Sequence, residues 1–532
     1  MTNPSLLPEA SSVPAKESQD TLRSNIESLT SKTLRGLQWS YIDTIISAIL
    51  QIGYTAIMAR LLSPADFGLV AMGGVVLRFG SYFAQMGVGS ALVQKKELAE
   101  EEIRAAFTSN VILGLLGYGL VWIAAPLVTY IFNNPALVSI VRTMALSFVL
   151  TGLSTTALSL LRRNLKFRSI AIIDIISFIA GYGCGGIILA FAGFGVWSLV
   201  AAALSQNALL AILAFLLTRH SLSFVYNWKY FGRLYSFGGR VSIISFMESI
   251  SSNLDTLAIG HFVGEASLGI YNRAFMLVNL PMQYLVTSFS RVLMPSYSKI
   301  QSDIPRLRKN YLSSVMFVGS ILIPVCWGIA AASREIVLLV LGEKWSAAIP
   351  LLRILAFATP LSLLSHLAGS LLEAKAELNV KILIQSVYIV FLSALFFFLS
   401  NLGVIGFAIA VVIGELGIHF SYIIATKRFL KIEAGEIFAA YKPAIFSGLI
   451  IGPLIYAVGL LLRQWEMPVW ITFLMEVAGG GILLICLFIF SGPQRVLRRE
   501  FRERVLDSGI MPNKNSVVGR IVNSFRIYIS SD

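Results

Sequence analysis

Hydrophobic residues fall along the chain in about fourteen long blocks. They run roughly 34–60, 67–92, 107–131, 137–161, 171–192, 195–217, 239–262, 266–296, 310–332, 347–372, 379–400, 403–425, 443–463 and 468–490. Each is long enough to cross a hydrocarbon core, since ~20 apolar residues at ~1.5 Å per residue span ~30 Å. The longest are expected to tilt or to extend past the core. Pro281, Pro324 and Pro360 lie inside blocks and predict kinks. The pattern predicts an all-α polytopic membrane protein.

The polar positions inside the blocks are ordered too. In the first block Ser40, Asp43, Ser47, Gln51 and Tyr54 recur at steps of three and four, one face of a helix. The second block places Arg78, Tyr82 and Gln85 in the same way. The seventh has Ser245, Glu248, Ser252 and Asp255; the eighth has Asn272, Asn279, Gln283 and Ser290, with Arg273 beside them. Blocks 3, 5, 6, 9, 11 and 13 show no comparable stripe. An ionisable residue at membrane depth costs about 2.5–3.5 kcal/mol on insertion scales. Several in one hairpin, Gly239–Ser296, therefore predict a polar cavity lined by them. Counting from the turns, Asp255 and Arg273 each lie nine residues from Gly264, which predicts a pair at one level. Arg78 lies fourteen residues from Pro64 and Glu248 sixteen from Gly264, which predicts that these two face each other deeper in. Asp43 lies deeper still.

A repeat appears at an offset of 201 residues. Leu61-Leu62-Ser63-Pro64-Ala65-Asp66-Phe67-Gly68 aligns with Phe262-Val263-Gly264-Glu265-Ala266-Ser267-Leu268-Gly269. Each octet joins a first block to a second, and the two lie six blocks apart. An even count keeps both halves in one orientation, a parallel repeat about the membrane normal. The expected organisation is a polar, disordered tail (1–32), an N-lobe of six spans (33–218), a C-lobe of six (219–430), two appended spans (431–491) and a basic tail (492–532).

Composition fits this reading. Of the 532 residues 56% are hydrophobic and 13% charged, and the mean hydropathy is +0.77, whereas soluble chains carry about 25% charged residues. The net charge of +14 would suit nucleic acid, but its placement decides otherwise. With the N-terminus cytoplasmic, about 33 Lys and Arg fall on the inner side, and only Arg60, Arg334, Lys344 and Arg463 fall in outer loops. That is the positive-inside bias, with both termini cytoplasmic, and it removes nucleic acid as a partner. Residues 1–32 lack the apolar core of a signal peptide. The three cysteines and four histidines show no disulfide or metal spacing, and no P-loop is present. The outer loops are too short for a catalytic domain, which argues against a glycosyltransferase or polymerase.

Other charged residues have competing readings. Glu415 and His419, one turn apart in the twelfth block, could couple protons or simply hydrogen-bond. Asp174 and Glu373 read as interfacial, and Glu476 stands alone in the last block. Trp345 could stack on a sugar ring or sit at the interface. Arg162, Arg163, Lys166 and Arg168 could attract a pyrophosphate or anionic lipid.

Several motifs carry a family resemblance: Ala59-Arg60-Leu61-Leu62-Ser63-Pro64-Ala65-Asp66-Phe67-Gly68, Leu161-Arg162-Arg163-Asn164-Leu165-Lys166-Phe167-Arg168, Asn253-Leu254-Asp255, Leu268-Gly269-Ile270-Tyr271-Asn272-Arg273-Ala274, Gly342-Glu343-Lys344-Trp345 and Pro350-Leu351-Leu352-Arg353. They resemble signatures of the polysaccharide transporter family, the Wzx-type flippases of the multidrug/oligosaccharidyl-lipid/polysaccharide exporter superfamily. The resemblance spans about 33–430. It implies two six-helix lobes in a V around a central cavity and alternating access. It also implies turnover of a polyprenyl-diphosphate-linked oligosaccharide between leaflets, with no cofactor beyond a coupling Na+ or H+ and with polymerase and export machinery as partners. Relatives that flip lipid II use cavity arginines on the first two helices of each lobe, where Arg78 and Arg273 fall here; their arginine pairs in the first helix are absent, and Asp43 stands there instead. The candidate cavity set is Asp43, Arg78, Gln85, Glu248, Asp255, Asn272, Arg273, Asn279 and Gln283, with Glu415 and His419 as coupling candidates. The alternatives are a drug/cation antiporter of the superfamily, a lipid II flippase, or a scaffold in polysaccharide assembly.

Overall fold

In the computed structural model the described residues are 15–85, 98–224, 239–375 and 377–490, with scattered positions between 89 and 95; side chains are described over these ranges except at 15–37, 82–85, 239–246, most of 283–299, and 490. These residues form fourteen helical segments long enough to span a membrane. They are α1 (Ala15–Leu61), α2 (Pro64–Gln85), α3 (Glu100–Phe132), α4 (Ala136–Arg163), α5 (Phe167–Phe191), α6 (Val196–Thr218), α7 (Gly239–Phe262) and α8 (Glu265–Lys299). The rest are α9 (Ile304–Ala331), α10 (Ala348–Ala374), α11 (Leu378–Leu399), α12 (Gly403–Leu430), α13 (Ala434–Gln464) and α14 (Val469–Phe490). The chain is a multi-pass membrane protein, all-helical over the described residues.

Most blocks of the sequence reappear as helices, with instructive departures. Helix α1 begins at Ala15, inside the segment expected to be disordered. No proline follows Pro14 until Pro64, so nothing in the chain chemistry stops the first helix from extending backwards. The backbone stays helical through Pro281, Pro324 and Pro360, and through Pro443 and Pro453 in α13. Between α9 and α10, where a simple loop was expected, a short helix Ser333–Val340 intervenes.

The two lobes meet at the end that carries the α1–α2 and α7–α8 turns, and the repeated octets meet each other there. A Cβ on Gly68 would lie 1.8 Å from the Glu265 carbonyl oxygen, and one on Gly269 would lie 1.8 Å from that of Pro64. These partners are related by the same offset of 201, so the contact is a pseudo-two-fold crossing of α2 on α8. Only glycine lets the two backbones approach so closely.

A set of hydrogen bonds brackets the crossing. The Arg60 guanidinium at the end of α1 donates to the carbonyls of Leu339 (2.8 Å) and Val340 (3.0 Å), where it caps the helix Ser333–Val340. Lys344 Nζ donates to the carbonyls of Arg60 (3.0 Å) and Leu62 (2.6 Å). Trp345 is wholly buried, its ring edge-on to Phe67, and its Nε1 donates to the Ala59 carbonyl at 2.8 Å. Trp345 is thus a wedge between lobes and is not free to stack on a sugar.

This geometry makes a direct prediction. Valine at Gly68 or Gly269 should prise the crossing apart, so Leu62→Cys, 4% exposed in the closed form, should react with a membrane-impermeant maleimide faster than in the glycine parent. Unchanged reactivity would show that the crossing does not hold this end shut.

Candidate functional site

Of the predicted polar faces, Tyr54 of α1, Arg78 of α2, Asp255 of α7 and Arg273 of α8 come within electrostatic reach across the lobes, but the partners differ from those that depth alone predicted. Asp255 does not pair with Arg273. Its carboxylate accepts from Tyr271 Oη (2.7 Å), from the Thr256 backbone N–H (2.6 Å) and from Thr256 Oγ1 (3.3 Å). Tyr271 and Arg273 are two positions apart on one helix, hence about 200° apart around its axis, so only one can face α7. The cation within electrostatic reach of Asp255 is Arg78, from α2 of the other lobe.

Arg273 reaches the opposite way. Its guanidinium lies 4.7 Å over the Phe67 ring of α2, donates to Asn272 Oδ1 at 2.9 Å, and acts electrostatically on Tyr54 of α1 and Tyr182 of α5. Tyr54 packs edge-on against Tyr182 (4.8 Å) and Phe178 (6.2 Å). Tyr182 lies in a π-helical stretch, Ile179–Gly186, that interrupts α5; such bulges re-aim side chains and recur at functional sites. Arg273 Nε and the Tyr54 hydroxyl are buried without a hydrogen-bond partner. Tyr54 and Asp255 are themselves 201 residues apart. Each lobe therefore sends an arginine toward equivalent positions of the other.

Glu248 does not face Arg78 either. It pairs with Lys381 Nζ of α11 at 2.5 Å, and the same ammonium binds Glu373 of α10. Lys381 is 5% exposed. By sequence alone Lys381 fits an orienting charge at the membrane surface, in a block with no polar stripe like those of α1, α2, α7 and α8. The signal was there: Lys381, Gln385 and Tyr388 follow steps of four and three, and Gln385 donates to Ser251 of α7. Glu373 accordingly belongs to this network rather than to the interface.

Tyr388 Oη donates to Glu415 Oε1 at 2.9 Å, and Glu415 lies within electrostatic reach of Asp255. Asp255, Tyr271, Tyr388 and Glu415 thus join α7, α8, α11 and α12 in one buried cluster. His419 is on a separate network: Nδ1 is 3.0 Å from Ser365 Oγ and Nε2 2.9 Å from the Tyr441 hydroxyl. Both ring nitrogens are engaged, so the hydrogen-bonding reading suits it better than proton coupling. Asp43 accepts from Ser47 Oγ at 3.4 Å and has Asp174 of α5 as its acidic neighbour. Asn279 is half-buried on α8; the side chains of Gln85 and Gln283 lie outside the described residues. In the basic cluster, Arg163 donates to the Leu92 carbonyl and Arg168 stacks on Trp39 at 5.3 Å. Among the described residues no three His, Cys, Asp or Glu side chains gather as a metal site.

A two-lobed helical bundle with reciprocal arginines and buried carboxylates at the lobe interface defines a membrane transporter fold. It superposes on the inward closed form of the lipid II flippase MurJ with a TM-score of 0.69 at 14% identity, over 87% of this chain and 99% of that one. Residues 57–350 match the family described as polysaccharide biosynthesis protein, and the chain belongs to that family. It is 29% identical over 369 residues to the lipopolysaccharide biosynthesis protein WzxC of Escherichia coli (strain K12), covering 66% of this chain and 72% of the relative. It is 26% identical over 355 residues to the teichuronic acid biosynthesis protein TuaB of Bacillus subtilis (strain 168), covering 66% and 73%.

The Lys381 bridge is directly testable by stability. Removing the ammonium in Lys381→Met leaves two carboxylates facing each other. It should lower unfolding free energy by about 1–3 kcal/mol, at the low end because Glu248 is partly solvated. Adding Glu248→Gln should recover part of the loss in thermal unfolding. No recovery would show that the three groups are not coupled.

Proposed function

We propose that the protein is a flippase for polyprenyl-diphosphate-linked oligosaccharides in the bacterial inner membrane, with both termini in the cytoplasm. The reading rests foremost on one observation: guanidinium groups from both lobes stand at the lobe interface without a salt bridge among the described residues, Arg78 exposed and within electrostatic reach of Asp255 and Arg273 over Phe67 and beside Asn272. A diphosphate and a hydrophilic glycan need a wet, cationic route, while the polyprenyl chain stays in lipid. Arginine suits a diphosphate because its planar fork donates paired hydrogen bonds. Membership of a polysaccharide biosynthesis family and the flippase-like fold support the same reading.

In this scheme the hairpin end is the outer gate, closed in the form described here. The substrate head group enters from the cytoplasmic side and competes for the arginines. Arg78 then exchanges Asp255 for phosphate, and Arg273 leaves its aromatic setting, where cation–π stacking in a desolvated site contributes about 2 kcal/mol. The buried cluster of Asp255 and Glu415 is the candidate site for a coupling H+ or Na+. The lobes are assigned to 33–218 and 219–430, with α13–α14 appended.

Deletion should leave the complete repeat unit on its lipid carrier, unpolymerised, as lipid extraction and glycan analysis would show. Complementation with Arg78→Ala or Arg273→Ala should lower polymer export at normal protein levels, and Arg273→Lys should rescue less than wild type. Full export by both alanine variants would remove the head-group assignment. The exchange Asp255→Arg with Arg273→Asp should not restore function, since these residues do not pair.

A further inference from the structure

The last two helices carry a charged group that the transport site does not use. Glu476, about a third of the way along α14, is 2% exposed, and neither of its carboxylate oxygens has a hydrogen-bond partner. Beside it lies Arg463 at the end of α13, committed to Glu335 of the short helix Ser333–Val340. Arg463 Nε reaches Glu335 Oε1 and Nη2 reaches Oε2, both at 2.8 Å. Glu335 is itself 2% exposed. The pocket for Glu476 exists because residue 459 is glycine: a Cβ there would lie 2.3 Å from Glu476 Oε1 and 3.3 Å from Arg463 Nη2. Two buried carboxylates thus share one guanidinium, which has spent a bidentate pair on Glu335.

We propose that Glu476 is a proton-binding site, and that its occupancy sets how firmly the hairpin-end gate closes. A buried ionised carboxylate without a hydrogen-bond partner, beside a guanidinium already committed to Glu335, is costly, whereas a carboxylic acid there is not. Among the described residues the charged groups acting on it are Arg463 of α13 and Glu335 of the short helix, and the apolar cluster nearby is Ala331, Ala332, Ile451 and Ile455, with Ile336, Leu483, Leu484 and Leu487. Two free oxygens are too few to hold Na+ in place of its water shell, so the fitting cation is a proton.

The link to the gate is the short helix itself. Its C-terminal carbonyls, Leu339 and Val340, are those held by Arg60 of the opposite lobe, and its Glu335 is held by Arg463. While Glu476 is protonated, Arg463 has one ionised partner, and the short helix is fixed from both sides. When the O–H bond of Glu476 breaks and the proton leaves to water, a second carboxylate competes for Arg463. Arg463 then moves donors from Glu335 to Glu476, the short helix loses its anchor, and the Arg60 cap weakens. Acid therefore favours the closed gate and alkali the open one. This inference rests on the outer gate proposed above but not on the substrate assignment.

The test uses the full-length protein in lipid nanodiscs without substrate. Infrared difference spectra should show a protonated-carboxyl band at neutral pH that disappears in Glu476→Gln. The band should also be lost in Glu335→Gln, where Arg463 is free to pair with an ionised Glu476. In a background with Cys184 and Cys486 replaced by serine, maleimide labelling of Leu62→Cys is divided by that of exposed Glu343→Cys, which removes the pH dependence of the thiol. The ratio should rise with pH in the parent and stay low in Glu476→Gln, about tenfold lower on the alkaline side. The proposal is overturned if no band is lost in Glu476→Gln, or if that variant keeps the parental pH dependence. Should Glu476→Gln fail to fold, Glu335→Gln decides alone: it must lose the band and raise the ratio at neutral pH.

Discussion

The close approach of α2 and α8 at Gly68 and Gly269 is the constraint on which the rest of the interface depends. Because each glycine contacts the backbone of the other hairpin, the two lobes share a fixed crossing with almost no side chain between them. That crossing sets where Phe67, Tyr271 and Arg273 lie, and so where the arginines can reach. The surrounding hydrogen bonds from Arg60, Lys344 and Trp345 all end on backbone carbonyls. They hold the hairpin end shut without consuming the carboxylates below it.

Below the crossing, the interface is held by exchangeable partners. Arg273 rests on aromatic rings with one nitrogen unpartnered, and Arg78 lies exposed near a carboxylate already satisfied by two hydroxyls and an N–H. Neither arginine is locked in a bidentate salt bridge, in contrast to Arg463, which is. A cation meant only for structure would be expected in the second arrangement, because a buried charge left short of partners costs stability. The difference separates the arginines assigned to substrate from the one assigned to the scaffold.

Much of this was legible in the chain. Hydropathy located the helices, and the pairing of two octets at an offset of 201 marked a parallel repeat, whose two turns prove to be the segments in contact. Tyr54, Arg78 and Asp255 from the polar stripes, with Arg273 beside one of them, lie where the lobes meet. The partners were not legible, for a definite reason. Counting residues from a turn fixes depth but not azimuth, so Asp255 and Arg273 were matched by level although Tyr271 holds the face that meets α7. Lys381 was hidden because a lysine near the end of a hydrophobic block also fits the positive-inside rule. The aromatic setting of Arg273 was hidden because Tyr182 owes its direction to a π-helical turn that no periodicity announces. Trp345 looked like an interfacial tryptophan until its burial and its bond to Ala59 placed it in the clasp.

The central claim is that arginines offered across the lobe interface receive the diphosphate of a lipid-linked glycan. It is tested most directly by reconstituting the protein in vesicles with a fluorescent polyprenyl-diphosphate oligosaccharide and measuring transfer between leaflets by quenching from outside. The account predicts transfer by the wild-type protein, little by Arg78→Ala/Arg273→Ala, and competition by the same carrier with diphosphate but not by one with a neutral head group. Equal transfer by the double variant, or no preference for the diphosphate, would contradict it.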